Sequence, residues 1–150
     1  MLPQDDPGWA SYGETVLRWH TVPPLAIDLA RDVEPTQRDA LHRLGLGASF
    51  GLVTPCNPFG RRSDPEENAG RLRRLLAQLD AAGTRYLRVD GCSPDGVHVE
   101  PGVALAGSKE EIIALARRWE QSAIYWWDGA RFWVEGALTK AAPWPLGGPG

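Results

Sequence analysis

The stretch from Asp64 to Gly83 constrains the fold most. Asp64 stands before Pro65-Glu66-Glu67, an N-cap followed by a proline at the first helical position and a capping-box glutamate. Leu72, Leu75, Leu76 and Leu79 then recur at i, i+3, i+4 and i+7, the period of an amphipathic helix, and Gly83 stops it. Short apolar runs flank this helix. Residues 48–54 (ASFGLVT) are closed off by Pro55 and Pro58, and residues 85–90 carry Tyr86, Leu87 and Val89. Both runs read as strands. A helix crossing between them makes the two strands run in the same direction.

The remaining elements are arranged around that unit. Ser93-Pro94-Asp95-Gly96 is a turn, so 85–90 and a second extended run at 97–106 form a hairpin. Ser108-Lys109-Glu110-Glu111 opens a helix over 109–120 whose apolar stripe is Ile112, Leu115, Ala116 and Trp119. Residues 123–127 and 131–135 flank the tight-turn pair Asp128-Gly129. Earlier, 25–29 reads as a short strand and 35–44 as a helix started by Pro35 and stopped by Gly45. Residues 13–19 suit either a short helix or an extended arm, and 1–10 are expected to be loose. The order predicts an α+β fold with a ferredoxin-like β-α-β-β-α-β core, a strand–helix prelude and an extra C-terminal hairpin strand. A single domain is expected over 1–140, followed by a flexible Pro/Gly-rich tail at 141–150.

A chain of 150 residues with 43% hydrophobic and 23% charged residues can bury roughly two thirds of its unfolded surface without disulfides or metals. Its net charge of −3 argues against nucleic acid as a partner. No apolar run approaches the ~20 residues of a membrane helix, and the acidic start is unlike a signal peptide. Cys56 and Cys92 are too few for a disulfide framework, which points to reduced thiols in a cytoplasm. The histidines make no metal set, and Gly45-x-Gly47 follows a helix instead of a strand, so no cofactor is expected.

The topology gathers polar residues at one edge of the sheet. The ends of strands 48–54 and 85–90, the starts of helix 65–82 and of strand 97–106, and the loop before 123 all fall there. They bring Asn57, Asn68, Asp90, Glu100 and Gln121 together, with Arg61 and Arg62 just before the helix N-terminus. Such carboxyl ends of strands favour ligands, and helix N-termini favour anions. The leading expectation is therefore a small polar or anionic ligand.

The string Ala48-Ser49-Phe50-Gly51-Leu52-Val53-Thr54-Pro55-Cys56-Asn57-Pro58-Phe59 resembles the opening signature of the bacterial domain of unknown function 3293. Glu67-Asn68, Glu100 in the segment ending at Gly107, and Gln121-Ser122-Ala123-Ile124-Tyr125-Trp126 extend the likeness over about residues 20–135. The family usually has alanine and an aromatic residue where this chain has Pro55 and Cys56. The resemblance implies a small bacterial α+β domain and no particular activity.

Each rim residue also has a plainer structural role available. Asn57-Pro58 fits a turn, Asn68 can serve the helix start or the Asn57 loop, and Gln121 can brace two loops. Glu100 is the one candidate for acid–base catalysis, and a salt bridge to Arg61 or Arg88 is its alternative role. The row Arg71, Arg73, Arg74 reads as a solvated helix face. The chain has seven tryptophans, and Tyr125, Trp127 and Trp133 could make a sheet face sticky to a protein partner or a second copy.

Overall fold

A computed structural model of the chain describes residues 9–147. The loose segment expected at 1–10 therefore falls mostly outside the described residues, as does the end of the tail. The chain begins with a 3-10 turn, Trp9–Glu14, and continues as β1 (Val16–Trp19), β2 (Leu25–Asp28), α1 (Pro35–His42) and β3 (Phe50–Val53). Then follow α2 (Pro65–Ala81), β4 (Tyr86–Cys92), β5 (Val99–Leu105), α3 (Lys109–Arg118), β6 (Ala123–Trp127), β7 (Phe132–Gly136) and β8 (Trp144–Pro145). The fold is α+β, with one sheet in the order β2-β1-β4-β5-β3-β6-β7-β8. Every neighbouring pair is antiparallel. β3 and β4 point the same way, with β5 between them.

The N-cap at Asp64 and the capping box at Ser108 are realised, while α2 shows the cap without the reciprocal bond from Glu67. Asp64 accepts from the Glu67 N–H at 2.9 Å, and Ser108 and Glu111 close a reciprocal capping box. The prelude holds one strand more than the sequence suggested. Leu17 and Trp19 are buried while Arg18 is exposed, an alternation too short to read unaided, and β1 is inserted between β2 and β4. At the other end, Trp144 and Pro145 pair with β7 and Leu146 is buried. The N–H of Leu146 donates to Phe132 O (2.9 Å) and that of Gly147 to Leu29 O (3.1 Å).

The sheet curls into a half-barrel. Its concave side can be read from the core. Trp19 of β1 and Phe132 of β7 are separated by four strands, yet their rings lie 6.4 Å apart. Leu17, Ile27, Leu41, Phe50, Leu52, Trp127 and Val134 complete this inner core. The outer face alternates with it. Val53, Val103, Leu105, Ile124 and Trp126 pack there against Leu75 and Leu79 of α2 and Ile112 and Leu115 of α3. Gly51 is required for that contact, since a Cβ there would meet Ile112 Cγ2 at 2.7 Å.

Candidate functional site: the inner face beside Glu100

Alternation along each strand decides which residues reach the inside of the half-barrel. Gly91 is paired with Leu17 on one side and Glu100 on the other. Since Leu17 belongs to the inner core, Glu100 points inward as well. β3 ends at Val53, level with Val103, so β5 continues past it towards Glu100 without a neighbour on that side. The chain leaving β3 crosses close to β5, and a Cβ on Gly102 would stand 2.7 Å from Val53 O. Around the carboxylate the inward positions Gly91 and Ala123 are small. The space they leave is a cavity of about 730 Å³ at one end of the half-barrel. Leu17, Leu52 and Val89 form its apolar walls, and Tyr12, Thr15 and Tyr125 a polar flank.

Glu100 is half-buried. Among the described residues no cation pairs with it, neither Arg61 nor Arg88. Burial pushes its carboxyl above the ordinary value of 4.5, while the Asn57 amide and the Thr54 hydroxyl partly offset the rise. Tyr125, whose Oη lies 2.8 Å from Tyr12 O and 2.9 Å from Thr15 Oγ1, is also held well above its usual range by burial. The Tyr12 and Tyr125 rings meet edge to face at 5.8 Å. Near the turn end of β4 and β5, Arg62 Nη2 approaches His98 Nδ1 at 3.4 Å.

Asn57, Asn68 and Gln121 also line the cavity, but their amides are largely engaged within the protein. Asn57 sits in the left-handed region (φ 50°, ψ 60°), which Asn tolerates better than most residues. Its Oδ1 accepts from Asn68 Nδ2 and from the Ser63 N–H, both at 2.9 Å, and its own N–H donates to Asn68 Oδ1 at 2.9 Å. Gln121 is buried, and its Nε2 donates to Cys56 O (3.0 Å) and Trp119 O (2.9 Å). The Phe59 N–H donates to Glu120 O at 2.7 Å. These bonds fasten the loop after β3 to α2 and to the loop before β6, which holds Asn57 beside Glu100.

The structure takes three of the expected groupings apart. Asp90 alternates with Val89 and Gly91, so it points to the outer face, away from Glu100, where it pairs with His20 Nε2 at 2.8 Å. Arg61 is exposed and lies over the Phe59 ring, 6.0 Å from its centroid, without lining the cavity. Tyr125 and Trp127 lie on the inner face and Trp133 does not. Trp127 is fully buried in the inner core, and Trp133 lies on the opposite side because it is paired with Trp126. The reading of Arg71 as solvated also fails. It donates to Pro55 O and, at 2.8 Å, to Trp119 O, and it lies 3.6 Å from a Glu120 carboxylate oxygen. It is a further clasp between the two loops.

Sequence reasoning missed Tyr12, Thr15 and Thr54, along with the small inward residues. The available signal was the pair Gly91 and Ala123, small residues at inward strand positions, which mark unfilled space once the sheet is known to curl. Cys56 and Cys92 are free and buried, and burial raises the Cys56 thiol. Among the described residues no group of His, Cys, Asp and Glu could hold a metal ion, and no helix is long and apolar enough to cross a membrane.

Residues 53–124 match the family model described as a protein of unknown function, DUF3293. The chain resembles the DUF3293 family. The match is narrower than the span read from the sequence, running from the last residue of β3 into β6. It takes in Asn57, Asn68, Glu100 and Gln121, so the DUF3293 region holds both the inward carboxylate and the bracing around it. No curated protein and no solved structure shows a significant match.

Proposed function

We propose that this protein binds a small polar molecule in the cavity on the inner face of the half-barrel, with Glu100 as its anchoring acceptor. The observation that carries this reading is a half-buried carboxylate, facing about 730 Å³ of space, with no ion-pair partner among the described residues. Leaving a charge partly desolvated and unpaired costs stability, and such costs are characteristic of sites kept for a ligand. Mouths of curled sheets are also common places for small-molecule sites. The first turn of α2 offers less to an anion, because Asp64 already takes the Glu67 N–H and Glu66 and Glu67 supply negative charge there. The raised carboxyl of Glu100 favours a second reading, in which the same residue moves a proton on the bound molecule. The run β4-β5-β3-β6, with α2 and α3 on one face, supports a ferredoxin-like core for this binding module. The two free thiols fit a reducing cytoplasm.

The test is a thermal-shift screen of polar metabolites against the parent protein and Gly91→Leu. A Cβ on Gly91 meets nothing closer than Thr15 Cγ2 at 3.5 Å, an ordinary contact, so the leucine plugs the cavity without forcing the backbone. Ligands that stabilise the parent and not Gly91→Leu support the site. No shift at millimolar ligand, or equal shifts in both proteins, speaks against it.

A further inference from the structure

We infer that the molecule bound beside Glu100 carries a cationic nitrogen, an ammonium or a guanidinium. This rests on the binding reading above and names its ligand class. Among the described residues no cation is ion-paired with Glu100, and Glu14 adds a second carboxylate to the same cavity. Arg62, the one arginine lining the cavity among the described residues, is turned towards His98 Nδ1 at 3.4 Å, near the turn end of β4 and β5. The rest of the wall suits an organic cation. Leu17, Leu52 and Val89 would cover an alkyl chain, and the ring faces of the edge-to-face pair Tyr12 and Tyr125 attract positive charge.

A bare metal ion fits poorly. Calcium takes six to eight oxygen ligands, and here the carboxylate has an amide and a hydroxyl as its nearest polar neighbours. The Asn57 Oδ1 atom is already shared by two donors. An ammonium needs only a few acceptors and gains most from a desolvated carboxylate. The raised carboxyl of Glu100 agrees with this. A bound cation would favour the ionised form and pair its charge in a charge-assisted hydrogen bond.

The experiment uses the full chain, labelled with ¹⁵N, and two probes of the same shape: n-butylammonium chloride and n-butanol. Each is titrated at neutral pH while the amide signals of Gly91, Gly102 and Tyr125 are followed. The inference expects the ammonium to bind about tenfold or more tighter than the alcohol, the size of one charge-assisted hydrogen bond. It also expects Glu100→Gln to abolish that preference, and this isosteric change removes an unpaired charge instead of a contact. Equal affinity of the two probes, or a preference that survives Glu100→Gln, overturns the cationic assignment. So does absence of any response to the ammonium. If the cavity amides respond to the alcohol or to anionic compounds instead, the cavity stands as a site and only the ligand class falls.

Discussion

Removing the Asn57 side chain should be among the costliest polar changes in this protein, although it deletes no core packing. Two donors converge on Asn57 Oδ1, the Ser63 N–H and Asn68 Nδ2, each at 2.9 Å. In Asn57→Ala both lose their acceptor in a partly buried loop, at about 1 kcal/mol each or somewhat more. Alanine must also hold φ 50°, ψ 60°, a left-handed conformation that costs a residue with a Cβ roughly 1–2 kcal/mol. The expected loss is about 3–4 kcal/mol. Asn57→Gly separates the parts, because glycine loses the same hydrogen bonds but adopts the conformation freely, and it should be less destabilised than alanine by about 1 kcal/mol. Urea titration followed by circular dichroism measures both, read as a shift in midpoint at constant slope. If alanine and glycine each cost under about 0.5 kcal/mol, the loop is not held by these bonds and the reasoning fails.

Other consequences are open to measurement. Burial raises the Glu100 carboxyl above 4.5, so the folded chain holds that proton more tightly than the unfolded chain. The stability this group confers is complete below that value and is lost as pH rises through the raised folded value. Glu100→Gln should therefore be more stable than the parent at neutral pH, with the gap closing below pH 4.5; a variant destabilised at neutral pH contradicts this. Gly102→Ala should cost about 1–3 kcal/mol, because its Cβ meets Val53 O at 2.7 Å and backbone must move; a neutral alanine in chemical denaturation would refute the close crossing. Cys56 and Cys92 should resist a thiol reagent such as DTNB in the native protein and react together on unfolding. Rapid labelling of the native chain would show that one of them is open to solvent.

Local chemistry made much of this molecule legible in advance. α2 and α3 announce themselves through Asp64 and Ser108, whose caps act within four residues, and the β4–β5 and β6–β7 hairpins through their turns. Less local features were harder to read. β1 is four residues long, and its Leu17/Trp19 alternation gains meaning only when β4 is beside it. Simple parity would have moved two of the candidates. Asp90 is one step from Val89, and Trp133 falls opposite Trp126, so neither can share a face with the residues it was grouped with. The cavity was hidden for a different reason. Glycine at 91 reads as weak strand sequence until the curl of the sheet, set by contacts such as Trp19 with Phe132, turns its missing side chain into space. Arg71 misled because helical periodicity places it beside Arg73 and Arg74, while the loops at 55 and 119 bury it.

The central claim is that Glu100 is an unpaired carboxylate held inside the half-barrel. A ¹³C NMR titration of its side-chain carboxyl carbon, assigned by the signal that disappears in Glu100→Gln, tests this without any ligand. The account predicts a midpoint above 4.5. A midpoint at or below 4.5 would mean that the group is hydrated or ion-paired, and would contradict the account.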